Sequence, residues 1–302
     1  MGIFEHYQSR YEERKQEEFT IGEFLEICKE DQTAYANAAE RLLQAIGEPE
    51  LIDTANDPAL SRIFSNRVIS RYPAFSEFYG MEEAIEQIVS YLKHAAQGLE
   101  EKKQILYLLG PVGGGKSSLA ERLKELMQHV PIYMLKGSPV NDHPFCLFDV
   151  KEDGDILQKE YGIPKRYLKT IMSPWARKRL HEFNGDITQF KVVRVYPSVL
   201  DQVGIAKTEP GDENNQDISS LVGKVDIRRL EQYAQNDPDA YSYSGSLCKA
   251  NQGLMEFVEM FKAPIKVLHP LLTATQEGNY NPTEGFSALP FDGLILAHSN
   301  ES

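Results

Sequence analysis

Cysteine and tryptophan are scarce in this chain, with three Cys and one Trp in 302 residues. Cys28, Cys146 and Cys248 lie far apart, form no CxxC pair and leave an odd one over, so neither a disulfide framework nor a structural zinc site is expected. Reduced cytosol is the compartment this implies. Long apolar runs are missing too: the stretch Ile105–Leu109 is far too short to cross a bilayer, and the first 18 residues lack the apolar core of a signal peptide. Met1-Gly2 resembles the start of a myristoylation signal, but His6 stands where Ser or Thr is needed. A soluble, unanchored, cytoplasmic protein with no membrane partner is therefore expected. Basic residues are outnumbered, 32 Lys and Arg against 45 Asp and Glu, for a net charge of −13 without long basic runs. Attraction to a phosphate backbone scales with the cations presented, so nucleic acid is not an expected partner. No HExxH, G-x-S-x-G, H-R-D or D-F-G motif is present, which excludes a zinc protease, an α/β-hydrolase elbow and a eukaryotic-type kinase centre within these residues.

Hydrophobic residues make up 41% and charged residues 25%, ordinary globular usage that argues against a disordered or fibrous chain. The first 18 residues are highly charged and read as a frayed helix or an arm. Thr20 and Glu23 then form a capping box ahead of Ile21, Phe24, Leu25 and Cys28 at helical spacing. A second helix is expected after Thr33, with Tyr35, Ala39, Leu42, Leu43 and Ile46 as its stripe and Gly47 as its stop. Residues 1–65 thus read as a small helical N-terminal region, and residues 66–302 as the main domain. There, Ile85, Ile88, Val89 and Leu92 mark an amphipathic helix closed by Gly98. Strands are expected at Gln104–Leu109, Ile132–Leu135, Lys191–Tyr196, Leu254–Val258 and Gly293–Ala297. Alternation of strands with helices predicts an α/β fold with a parallel sheet flanked by helices. The segment KTEPGDENNQD at 207–217 reads as an exposed acidic loop.

One motif carries chemistry directly. Gly110-Pro111-Val112-Gly113-Gly114-Gly115-Lys116-Ser117 satisfies G-x-x-x-x-G-K-[ST], directly after an expected strand and directly before a segment of helical periodicity. Its glycines let main-chain amides curl inward, and the following helix adds its positive dipole end, a cradle for the β- and γ-phosphates of a nucleotide. Lys116 supplies a point charge to those phosphates. The Ser117 hydroxyl is the expected Mg²⁺ ligand, with Ser118 beside it towards the α-phosphate. ATP and Mg²⁺ are the expected cofactors.

The other motifs resemble those of AAA+ ATPases. Phe78-Tyr79-Gly80-Met81-Glu82 resembles the box whose glycine turn contacts adenine. Lys249-Ala-Asn-Gln-Gly253-Leu-Met-Glu256-Phe-Val-Glu259-Met resembles the segment entering the Walker B strand, and His269–Gly278 a helix ending in a Gln-Glu pair. His298-Ser299-Asn300 stands where AAA+ proteins carry the sensor-1 polar residue. More specifically, GPVGGGKSS, PGDENNQDISSLVGKVDIRRL, AYSYSGSLCKANQGLMEFVEMFKAP and LPFDGLILAHSNES resemble the AAA+ region of the PrkA-type serine protein kinases, over most of residues 60–302. The resemblance implies ATP-dependent action on a protein substrate, homo-oligomers formed through the AAA+ core, and a further strand, arginine finger and helical lid beyond residue 302. Binding with feeble turnover is expected of the chain by itself.

The same resemblance makes Glu259 the water-orienting base and Asn300 the residue that orients that water or senses the γ-phosphate. It also puts Val258 where the metal-binding Asp would stand. Glu256 and Glu259, three apart, would point to opposite faces of a strand, so Glu256 reads as a solvated carboxylate at a strand edge. The seven histidines show no ligand spacing, and only His298 lies near the expected nucleotide. Asp212, Glu213 and Asp217 read as a solvated loop or a contact to a neighbouring subunit. Two other readings stay open: a remodelling or proteolytic machine in which kinase activity is secondary or absent, and a nucleotide-gated binding module without turnover, suggested by Val258.

Overall fold

The computed structural model describes residues 2–98, 103–209, 217–282 and 285–300. Its centre is a four-stranded parallel sheet in the order Leu106–Gly110, Leu294–Asn300, Leu254–Val258, Ile205–Thr208. The two middle strands are apolar over most of their length and buried on both faces, as parallel strands must be when both sides are covered. On one face, Leu254, Leu294 and Leu296 pack with the helices Lys116–Met127, Glu82–Ala96 and Ala38–Ile46. On the other, Met255, Phe257, Ile295 and Ala297 meet the helix Ile265–Glu277 and the short helices Ser219–Val222 and Ser246–Ala250. This is the expected α/β architecture, a parallel sheet between helical layers.

Two expected strands go elsewhere. Ile132–Leu135 and Lys191–Val195 pair antiparallel, and Glu17–Thr20 adds to the outer edge of the second, making a separate three-stranded sheet. Short apolar runs look alike in either kind of sheet, so periodicity could not assign the partner. The fourth parallel strand, Ile205–Thr208, takes up the first residues of the segment expected to be a loop. Its inward pair is short, Ile205 and Ala206, followed at once by Lys207 and Thr208. The last strand runs to Asn300 rather than stopping at Ala297, so His298, Ser299 and Asn300 all sit within the ladder.

The N-terminal residues are built into both halves. Ile3–Arg14 forms an exposed helix. The Thr20 hydroxyl accepts from the Glu23 amide while the Glu23 carboxylate accepts from the Thr20 amide, so the following helix, Ile21–Glu30, starts on a complete capping box. Its stripe of Ile21, Phe24, Leu25 and Cys28 is buried against the antiparallel sheet. The next turn, Gln32–Tyr35, is 3₁₀, and the α-helix expected after Thr33 begins only at Ala38, capped by Asn37 and stopped by Gly47 at φ +77°. That helix packs in the same cluster as the parallel sheet, so the hydrophobic contacts run across residue 65. Residues 1–65 also hold a strand of their own, Glu50–Asp53, paired with Val68–Arg71.

Phe24 is fully buried, with its ring 5.3 Å from Tyr133 and 5.8 Å from both His143 and Phe145. Phe24→Ala should therefore lower unfolding free energy by about 3–5 kcal/mol. Urea denaturation followed by fluorescence and far-UV circular dichroism checks this, and the two signals should shift together if the N-terminal helices share the core.

Candidate nucleotide site

Parallel strands all end on one rim of their sheet, and this rim gathers the polar residues. The register sets Gly110 opposite Asn300, Leu108 opposite His298, and His298 opposite Val258. The sensor-like strand thus lies between the strand that feeds the glycine loop and the strand that ends at Glu259. Neighbouring strands stand about 4.8 Å apart, so the backbones at Leu108 and Val258 are about 10 Å apart across the rim.

The loop departs from regular geometry where only glycine does so without strain. Gly113 and Gly115 have φ of +81° and +79°, in the left-handed region. A Cβ on Gly114 would come within 3.1 Å of the Pro111 carbonyl oxygen, and one on Gly115 within 3.1 Å of Met81 Sδ. Gly115 caps the helix Lys116–Met127, whose first amides, on Lys116, Ser117 and Ser118, have no carbonyl one turn back to bond. Pro111, Val112, Gly113, Gly114, Ser117 and Ser118 are exposed. Lys116 is 8% exposed, and its ammonium donates to the carbonyls of Gly110 and Pro111 at 2.6 Å each, folding the side chain back over its own loop. Bare amides, one cation and a helix start together fit a polyphosphate. For Mg²⁺, the loop offers the Ser117 hydroxyl alone, and Val258 brings no carboxylate. No cluster of His, Cys, Asp and Glu suited to a metal exists among the described residues. A magnesium ion here would take most of its ligands from phosphate and water, which its octahedral preference allows.

The adenine-type box adjoins this loop. Gly80 has φ +77°, Tyr79 is 82% exposed, and Met81 packs against Gly115 ahead of the helix Glu82–Ala96. At the opposite corner, Glu259 sits just past its strand at φ 51°, its amide donating to the His298 carbonyl. The Ser299 hydroxyl donates to Glu259 Oε2 at 2.9 Å, and the Lys262 ammonium lies 3.5 Å from the same oxygen. Asn300 is placed by its backbone, beside Gly110.

Glu256 corrects an expectation. It is 1% exposed, in a strand with neighbours on both sides, and not a solvated edge carboxylate. Alternation turns it with Leu254 towards the helix Lys116–Met127, where Lys124 Nζ makes an ion pair with Oε2 at 2.5 Å, outside hydrogen-bonding angles. His298 Nε2 lies 2.7 Å from Oε1. His298 is therefore turned under the loop helix, 6% exposed, instead of towards a nucleotide. Lys124 also donates to Glu121 at 2.7 Å. Such a set is hidden from periodicity, because a lone Glu in LMEFV and a Lys on a helix each look like surface residues. Ser299 is likewise hidden in the sequence as the group that holds Glu259, since only the ladder's extension to Asn300 brings it there. Of the acidic loop, Asp212 and Glu213 lie outside the described residues. Asp217 caps a turn at Ser219, whose hydroxyl and amide hold its carboxyl below the usual range.

A cavity of about 370 Å³ lies elsewhere. Gln252, Gly293 and Lys103 line it and precede their strands, which places it at the opposite rim from the glycine loop. His143 lines it too, its pKa lowered by burial to about 4. It shares no residue with the loop.

A parallel α/β sheet whose first core strand feeds a G-x-x-x-x-G-K-S loop at its carboxyl rim defines a P-loop nucleotide-binding module. The model of the PrkA AAA domain family matches residues 19–302, and the chain belongs to that family. It is 79% identical over 306 residues to the serine/threonine kinase YeaG of Escherichia coli K12, covering 100% of this chain and 48% of that protein. It is 35% identical over 300 residues to the ATP-dependent protease PrkA of Bacillus subtilis 168, covering 96% of this chain and 45% of that protein. The chain thus spans about half the length of the curated relatives it matches. Among solved structures, the complex of magnesium chelatase subunits BchI and BchD is similar at a TM-score of 0.43 and 17% identity, over 72% of this chain and 51% of that one. NtrX from Brucella abortus is similar at 0.33 and 10%, over 74% and 36%. The AAA assignment rests on the family match and the sheet.

Removing one partner from a buried ion pair leaves the other charged and unpaired. Glu256→Ala should therefore cost about 3–5 kcal/mol of stability. The combined Glu256→Leu, Lys124→Met variant should lose less than the sum of its single changes, by about 1–3 kcal/mol. Denaturant midpoints of the four proteins of this cycle measure the difference.

Proposed function

We propose that this chain is the ATP-binding and ATP-hydrolysing module of a PrkA-type protein. The glycine loop supports this reading most directly: two left-handed glycines, free helix-start amides and a buried lysine converge on the rim that also carries Glu259 and Asn300. In this reading the amides of residues 113–118 bind the phosphates, and Lys116 exchanges its two loop carbonyls for phosphate oxygens. Ser117 contributes the one protein ligand to magnesium, which when bound neutralises charge on the phosphates. Tyr79 and Gly80 lie beside the base. Glu259, held by Ser299, orients the attacking water and takes its proton, while Asn300 fixes the same water from the neighbouring strand.

Action on a protein substrate is proposed on family grounds, as is assembly of the AAA core into homo-oligomers. Phosphorylation of a protein by the full-length protein follows the kinase relative's name, and ATP-driven proteolysis or remodelling follows the protease relative's. The absence of H-R-D and D-F-G motifs from these residues favours coupling the nucleotide site to work on proteins over transfer by a eukaryotic-type kinase centre here. Among the described residues no helix is long and apolar enough to cross a membrane.

Calorimetry with Mg·ATP should show binding to the wild type and none to Lys116→Ala; equal affinities would remove the assigned site. In a phosphate-release assay, Glu259→Gln should keep ATP affinity within about threefold while turnover falls roughly 100-fold or more, as expected when a positioned base is lost. Unchanged turnover would leave Glu259 without the proposed role.

A further inference from the structure

Glu259 is held in a backbone conformation that a non-glycine residue adopts only at a cost. Its φ is 51°, in the left-handed region, where such a residue persists because its surroundings fix it. Two of the groups that fix it come from one strand. The His298 carbonyl accepts its amide at 2.8 Å, and the Ser299 hydroxyl donates to its Oε2 at 2.9 Å. The aim of this carboxylate therefore depends on where the end of the strand Leu294–Asn300 lies.

That strand end is itself held from beneath. Glu256, ion-paired to Lys124, is a carboxylate and can only accept, so His298 Nε2 carries the proton and donates to Oε1 at 2.7 Å. Lys124 belongs to the helix that Gly115 starts. A continuous set of polar contacts thus runs from the glycine-loop helix through Lys124, Glu256 and His298 to Glu259. Stability gives little reason for it. His298 shares its face of the strand with Leu294 and Leu296, where an apolar side chain would pack well, and buried ion pairs are often replaced by hydrophobic residues without loss. What apolar packing does not supply is direction: a hydrogen bond fixes a position that hydrophobic contact leaves free to slide.

We propose that His298 is a positioning residue for ATP hydrolysis. Its imidazole, 6% exposed, faces the loop helix rather than the rim, so it acts through Glu259, by pinning the strand end whose carbonyl and neighbouring hydroxyl set that residue's turn. The proposal rests on Glu259 as the residue that orients the attacking water.

Phosphate release and calorimetric ATP binding by the full-length protein test this with three variants. His298→Leu removes the donor, His298→Asn carries an amide too short to reach Glu256, and His298→Gln has an amide nitrogen that can take the place of Nε2. The first two should keep ATP affinity within about threefold while turnover falls roughly 10- to 100-fold, the size of loss that a small misplacement of a reacting group produces, and His298→Gln should recover turnover to within about threefold of wild type. In the Glu259→Gln background, His298→Leu should lower the residual rate by less than about twofold, because no base is left to aim. A general loss of folded protein would lower the rate by the same factor in both backgrounds, and that result would overturn the proposal. So would wild-type turnover in His298→Leu and His298→Asn, or no recovery in His298→Gln. The two readings fail separately: unchanged turnover in Glu259→Gln removes the base and this role with it, whereas the expected loss there beside full turnover in the His298 variants removes this role alone.

Discussion

The parallel pairing of Leu294–Asn300 between Leu106–Gly110 and Leu254–Val258 is the constraint from which the site follows. A parallel ladder gives each strand the same direction, so each chain leaves the sheet on the same side. Gly110, Asn300 and Glu259 therefore arrive at one rim although they are remote in sequence. The ladder also fixes parity. Leu254, Glu256 and His298 face the loop helix, while Ser299, one residue on, turns to the other face and meets Glu259. A slip of one residue would exchange these faces, placing Ser299 under the helix and His298 beside Glu259.

Burial of charge beneath that helix gives the register a polar lock. The apolar residues around Glu256 would tolerate small shifts, since hydrophobic contact is not directional. An ion pair at 2.5 Å and a second contact at 2.7 Å are far less tolerant, because a misplaced partner leaves a charge unpaired in a dry interior. Lys124 lies two turns along the helix that starts at Lys116. Its attachment to Glu256 fixes that helix against the strand leading to Glu259, and His298 fixes the strand between them. The three elements around the site are thus joined by one set of side chains that no nucleotide would touch.

Legibility in the sequence followed how local each signal is. The glycine loop, its flanking strand and helix, and the Thr20–Glu23 cap are written in consecutive residues, and all appear where expected. Strand pairing is not local: Ile132–Leu135 and Lys191–Val195 have the same apolar character as parallel strands, and only their antiparallel pairing with each other, with Glu17–Thr20 on the outer edge, shows that they belong to another sheet. Ile205–Thr208 was hidden because two polar residues end it and an acidic segment follows. Glu256 and His298 misled for a related reason. Polarity in a sequence reads as exposure, and a buried polar residue declares itself only when its partner from a distant element is in view.

Division of labour between backbone and side chains accounts for the odd metal position. In the proposed reading, with Val258 as the last strand residue, charge reaches a polyphosphate through amides, the helix start and Lys116, all on the loop. These groups neutralise an anion but do little to hold a cation, so a magnesium ion would be retained chiefly by the nucleotide that carries it. Affinity would then depend on the phosphates arriving with their metal, and the sheet rim would be left to position water. In the proposed reading that rim uses a carboxylate that is held in place and uncommitted to metal, and Glu259, fixed by Ser299 on one side and approached by Lys262 on the other, is placed for it.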